Sequence, residues 1–124
     1  MKMAKVETAI RLVLAYYEAF NRHDIAAMLS LMDGDCALES SMPAPAGDIF
    51  HGKEEAARSW QRFFEERPGA TMELEEVYGM GKRCVGRWTC SWLSAAGTTE
   101  SLRGADIFRT SKDSILEILS YVKG

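Results

Sequence analysis

A chain of 124 residues, 47% hydrophobic and 27% charged, has the composition of an ordinary globular protein and is too short for two sizeable cores. A formal net charge of −3, without a basic cluster or stripe, excludes the electrostatic footprint of a nucleic-acid-binding protein. No run of about 18 apolar residues offers a membrane span, and Met1-Lys2-Met3-Ala4-Lys5 leads into an amphipathic pattern rather than a signal-peptide core. The three cysteines, Cys36, Cys84 and Cys90, are odd in number and lack CxxC or Cys/His metal spacing. They read as reduced thiols, small core residues of a cytoplasmic protein. The expectation is one domain over residues 1–124, with no metal or organic cofactor implied by any spacing.

Val6, Ile10, Val13, Tyr17 and Phe20 recur at three- and four-residue spacing and predict a first helix of roughly 15 residues. Asn21 suits its C-terminal turn, His23 falls in that turn facing solvent, and Asp24 is a good N-cap for a second, shorter helix carrying Ile25, Met28, Leu29 and Met32. Asp33-Gly34-Asp35 reads as a turn into a short strand, Cys36 to Ser41. The two prolines and one glycine of Met42-Pro43-Ala44-Pro45-Ala46-Gly47-Asp48 exclude a regular element there and predict a loop. A third helix follows His51-Gly52, with Ala56, Trp60 and Phe63 or Phe64 on its apolar side, and Arg67-Pro68-Gly69 ends it. Strands are expected at about 71–79, 83–94, 98–110 and 114–122, joined by hairpin turns. Three helices leading into an antiparallel meander make an α+β fold.

One strand carries the sharpest signal. In Leu102-Arg103-Gly104-Ala105-Asp106-Ile107-Phe108-Arg109, alternation puts Leu102, Gly104, Asp106 and Phe108 on the face to be buried. A buried acid tends to take up a proton, so Asp106 is either a structural hydrogen-bonding group or a catalytic one. Trp88, Cys90 and Trp92 share one face of the preceding strand, and Tyr16, Trp60, Phe63, Phe64 and Phe108 add aromatic surface. With a few polar groups such a set lines a small-ligand pocket, or fills a core. Glu73, Glu75 and Glu76 read as a solvated strand face, and Arg87, Arg103 and Arg109 lie opposite the interior.

The run Tyr16-Tyr17-Glu18-Ala19-Phe20-Asn21-Arg22-His23-Asp24, the helix entry Phe50-His51-Gly52-Lys53-Glu54, and the strand pieces Gly104-Ala105-Asp106-Ile107-Phe108, Ile115-Leu116-Glu117 and Ser120-Tyr121-Val122-Lys123-Gly124 occur in order across nearly the whole chain. Together they resemble the nuclear transport factor 2-like superfamily, and SnoaL-like proteins in particular. The resemblance implies a cystatin-like cone: a curved antiparallel sheet with the three helices, all in the N-terminal half, packed on its concave side. It further implies a pocket for a small apolar ligand, and a homodimer formed through the outer side of the sheet. The superfamily includes ketosteroid isomerases, polyketide cyclases, scytalone dehydratase, limonene epoxide hydrolase and non-catalytic domains, so the fold alone does not name a reaction.

Aligned with ketosteroid isomerases, Tyr16 and Asp106 occupy the positions of the two donors that stabilise a developing enolate oxygen. The general-base position falls on Ser40, which at its ordinary pKa cannot take a proton from carbon. With Cys36, Leu38 and Ser40 inward, Glu39 is expected outward. Ser120 stands where the epoxide hydrolases carry an aspartate. His51, beside the Pro-rich loop, is the histidine placed to reach the pocket and titrate near neutrality. The functional expectation is an isomerase, lyase or cyclase, independent of cofactors, acting on a small carbonyl compound. Its site residues would be Asp106, Tyr16 and His51, with Ser40, Trp60, Phe63, Trp88, Trp92 and Phe108 as ligand contacts. The alternative is a non-catalytic ligand-binding or dimerisation domain.

Overall fold

A computed structural model describes residues 5–41 and 46–123. Helix α1 runs Lys5–Asn21, α2 Ile25–Ser30 and α3 Gly52–Glu66. The strands are β1 Met32–Glu39, β2 Ile49–His51, β3 Thr71–Met80, β4 Arg83–Leu93, β5 Thr99–Thr110 and β6 Ile115–Val122. They form one curved, unclosed sheet in the order β2-β1-β6-β5-β4-β3. The expected α+β architecture is present, with one correction: β1 and β6 run parallel, so the sheet is mixed rather than antiparallel throughout. A parallel pair needs a long crossover, and here β2, α3 and the β3–β5 meander supply it. The prolines at 43 and 45 of the expected loop lie outside the described residues, as does the start of the chain at 1–4.

The first strand differs from expectation in a second way. Asp33-Gly34-Asp35, expected as a turn, is an irregularity inside β1: pairing with β6 registers at Met32↔Ile115, lapses, and resumes at Ala37↔Glu117. The Asp33 carboxylate accepts from the Asp35 N–H at 2.9 Å, a local loop that competes with ladder pairing. Met32 therefore belongs to this strand and not to α2. The three-residue β2 is too short to show a period, and it pairs antiparallel with Ala37, Leu38 and Glu39.

The interior lies between the helices and the inner sheet face. Val13, Tyr16, Tyr17 and Phe20 of α1 are buried, as are Ala56 and Trp60 of α3 and Cys84, Trp88, Cys90, Asp106, Phe108 and Ile118 of the sheet. A bulge between Leu74 and Glu76 keeps β3 in phase with this interior: Met72, Leu74 and Val77 pack on the core, while Glu75 and Glu76 both face out. Two joints fix the helices to the sheet. The Asn21 amide accepts from the Met72 N–H at 2.7 Å and donates to the Met72 carbonyl at 3.0 Å, capping the end of α1 with the edge strand. Asp24 caps α2 as expected, accepting from the Ala27 N–H at 3.0 Å.

His23 departs from expectation. It is half-buried at φ 55°, its ring stacked on Phe64 with centroids 4.1 Å apart and Nε2 2.6 Å from the Ala70 carbonyl. Turn position alone does not predict that contact, because the Phe64 face arrives from α3. Glu75 is likewise more than a solvated carboxylate. On the outer face it pairs with Arg103 at 2.8 Å and Arg87 at 3.5 Å, and the Thr89 hydroxyl donates to it at 2.9 Å. The cysteines Cys36, Cys84 and Cys90 are free and buried.

Candidate functional site

Alternation along β5 delivers the expected interior: Asp106 is 3% exposed and Phe108 fully buried. The partner that reaches Asp106 from α1 is Tyr17, not Tyr16. The Tyr17 hydroxyl donates to Asp106 Oδ2 at 2.7 Å. On the other side the Ser120 hydroxyl of β6 donates to Oδ1 at 2.7 Å, across the register pair Asp106↔Ser120. Space for this arrangement comes from glycine. Gly86 faces Asp106 across β4–β5, and a Cβ there would stand 2.6 Å from the Tyr17 hydroxyl oxygen. Gly104, opposite Trp88, does the same for the indole, whose ring carbons would lie 2.6–2.8 Å from an added Cβ.

Burial pushes the Asp106 carboxyl above the usual carboxylate range, and hydrogen bonding by Tyr17, Ser120 and Trp88 pulls it partly back. The Trp88 contribution is that of a nearby dipole and not of a formed bond, because Nε1 is buried without a hydrogen-bond partner. Burial, reinforced by the Asp106 charge, raises both phenols, Tyr16 and Tyr17. Each is therefore a donor near neutral pH and not a base. In the ionised form of Asp106, Ser120 donates to Oδ1. In the neutral form the same contact reverses: Oδ1–H donates to Ser120 Oγ, and the serine proton is released to point elsewhere.

Where it can point is a cavity of about 950 Å³ between α3, the end of β1 and the inner face of β4–β6. Of the expected site residues, Asp106, Tyr16, Ser40, Trp60, Phe63 and Trp88 line it together, and Ser120 joins them. Glu39 is in the lining as well, although it stays in register with Ile49 of β2 and Leu119 of β6, which keeps its side chain on the outer sheet face as expected. Three expected residues do not line it. His51 is exposed at the N-cap of α3, its backbone N–H donating to Glu55 at 2.9 Å. Phe108 sits deeper, edge-on to Tyr16 and Tyr17 with centroids 5.6 Å apart in both cases, and is core. Trp92 lies beyond the lining, with the Arg67 guanidinium 5.4 Å from its ring centre.

Tyr17, Ser120, Gly86 and Arg67 are the residues the sequence reading did not bring to the site. Among the described residues no group of three or more His, Cys, Asp or Glu side chains is placed to hold a metal ion.

The family model for the SnoaL-like domain matches residues 13–118. The chain belongs to the SnoaL-like domain family. Solved structures of nuclear transport factor 2-like proteins share the fold of this SnoaL-like chain. One of unknown function from Mesorhizobium loti is 29% identical, with TM-score 0.83 over 100% of this chain and 98% of that one. A proposed polyketide cyclase from Xanthomonas campestris pv. campestris is 25% identical, with TM-score 0.81 over 97% and 93%. TerC, crystallised with polyporic acid, shares the fold at 21% identity and TM-score 0.81 over 94% and 92%. No curated protein sequence matches the chain. No helix of this SnoaL-like chain, among the described residues, is long and apolar enough to cross a membrane.

Proposed function

We propose that the protein binds a small, largely apolar carbonyl compound in this cavity and acts on it by acid–base chemistry without a cofactor, as an isomerase, lyase or cyclase. The observation that carries this is Asp106: a desolvated acid on the cavity wall with both oxygens held in hydrogen bonds to the Tyr17 and Ser120 hydroxyls. A neutral Asp106 gives its Oδ1 proton to Ser120 Oγ, and the Ser120 proton passes to the ligand oxygen as negative charge develops there. Trp88 Nε1–H, buried beside Asp106 without a hydrogen-bond partner, adds a dipole at that end of the cavity. Preorganised donors aimed at charge that appears only in the transition state favour it over the ground state. Tyr16 serves as wall and donor. Ser40 occupies the position that the isomerase resemblance gives to a base, so proton removal from carbon falls to a carboxylate of the lining other than Asp106. The Xanthomonas relative, named for polyketide cyclisation, supports a ligand of this class.

The test uses 2-acetonaphthone as probe and follows exchange of its methyl protons in D2O by NMR. Wild type is expected to accelerate exchange, and Asp106→Asn to abolish the acceleration while the ketone still binds. Acceleration that survives Asp106→Asn overturns the acid role. One observation favours a second reading, a ligand-binding domain without turnover: serine, not a carboxylate, stands at position 40. Saturable ketone binding with no exchange in wild type would establish it. We further assign a homodimer to the outer face, where Tyr78, Val85, Ile107 and Leu119 form an in-register apolar row across β3–β6. Sedimentation of the wild-type chain as a monomer would contradict that assignment. The buried thiols, Cys90 pushed up to about 11 by desolvation, suit the cytoplasmic placement.

A further inference from the structure

The open end of the cavity holds a cation with unspent donors. Arg67 stands at the C-cap of α3 and lines the cavity, its side chain 21% exposed. Its guanidinium carbon lies 4.4 Å from the Phe63 ring centre and 5.4 Å from that of Trp92. Stacking occupies the faces of the planar group and leaves its in-plane N–H groups for hydrogen bonds. Those groups are barely used. Nε is buried without a partner, and the Nη1 contact to Glu66 is 3.6 Å. Glu66 is already engaged with Arg62 at 2.9 Å, and Arg58, the remaining arginine of the lining, has Glu54 at 3.0 Å. A buried donor left unpaired is costly and uncommon in folded proteins. Here Arg67 Nε and Trp88 Nε1 both are, in residues lining the same cavity.

Their order along the sheet gives the ligand a shape. Asp106 pairs across from Gly86, Gly104 from Trp88 and Leu102 from Cys90. Trp92, two residues beyond Cys90 on the same face of β4, has the Arg67 guanidinium 5.4 Å from its ring centre, which sets the cation at or beyond that last rung. Inward rungs two residues apart are separated by roughly 6.7 Å, so Asp106 and Arg67 mark a span of roughly 13 Å. Aromatic side chains, Trp60, Phe63 and Trp88, line the way between.

We propose that the cavity selects a flat ligand carrying an acidic oxygen, a carboxylate or acidic enol, bound by the in-plane donors of Arg67. Its neutral carbonyl or hydroxyl oxygen then lies at Trp88 and Asp106. The proposal rests on the ligand-binding reading above and adds the charge and length of the ligand.

Isothermal titration with 2-naphthoate and its neutral counterpart 2-acetonaphthone tests it. Wild type should prefer naphthoate by about tenfold or more, the discrimination expected of a charge-assisted pair. Arg67→Gln should collapse that ratio, and Arg67→Lys, which keeps the charge without the planar fork, should retain part of it. Equal affinities in wild type, or a ratio that Arg67→Gln leaves unmoved with a native circular dichroism spectrum, overturn the proposal. Ketone exchange that depends on Asp106 without any naphthoate preference sinks this inference alone. A naphthoate preference lost in Arg67→Gln, with exchange indifferent to Asp106, supports it and sinks the acid–base role instead. Failure of both probes to bind overturns both.

Discussion

The deep and open ends of the inner sheet face are lined by similar residues, aromatics with a few polar groups, yet they treat their polar atoms in opposite ways. At the deep end Phe108 packs edge-on against two tyrosines, and both oxygens of Asp106 are bonded. From Trp88 out to Arg67, by contrast, buried donors are left without partners. A satisfied, close-packed region stabilises the fold. An unsatisfied one costs stability until something binds. The contrast assigns folding to one end and recognition to the other, with Asp106 at the boundary between them.

The largest expected effect breaks the deep end. Phe108→Ala removes a fully buried ring between Tyr16 and Tyr17 and should cost ~3–5 kcal/mol in urea denaturation. Gly86→Ala comes next. The added methyl meets the Tyr17 hydroxyl, and the forced shift should cost about 1–3 kcal/mol and release Asp106 from its donor.

Asp106→Asn sharpens the boundary, because its sign is opposite to that of an ordinary buried polar loss. The folded carboxyl pKa is raised, so above the unfolded value near 3.9 the native state holds a proton that the unfolded state has lost. Stability contributed by this group therefore falls as pH rises from the unfolded pKa towards the folded one. The asparagine amide can still accept from Tyr17 and donate to Ser120. The variant should thus lose that slope and be at least as stable as wild type at pH 7, as read from thermal midpoints across pH. The smallest effect is expected at His51. Exposed and outside the lining, it should tolerate His51→Ala with ketone binding and exchange unaltered.

Much of the scaffold was legible because its signals are local. The period of α1, the Asp24 cap and the alternation of β4 and β5 each depend on a few neighbouring residues, and each formed as expected. What stayed hidden depends on register. Counting back from the Thr110↔Ile115 pair at the last hairpin sets Asp106 opposite Leu119, an apolar neighbour on the wrong face. The irregularity between Arg109 and Thr110 moves it opposite Ser120, which creates the hydrogen bond. Turn chemistry does not reveal a bulge of that kind. The choice between adjacent tyrosines was similarly hidden. Tyr17 fits the apolar stripe of α1 and Tyr16 fits the resemblance, and the vacancy left by Gly86 on a distant strand decides which hydroxyl reaches Asp106. Arg67 was read as part of a helix stop. Its stacking on Phe63 lies one turn back along α3 and was accessible to spacing, but the second ring, Trp92, comes from β4.

The proposed chemistry needs Asp106 neutral at the cavity wall, and the carboxyl 13C shift of labelled Asp106, followed by NMR from about pH 4 to about pH 8, reads that state directly. The predicted result is a protonated carboxyl that titrates well above the ordinary aspartate range and moves further up in Tyr17→Phe, which removes one of its donors. A carboxylate already fully ionised at the acid end of that range, indifferent to Tyr17→Phe, would mean that Asp106 is an ordinary aspartate and no proton donor.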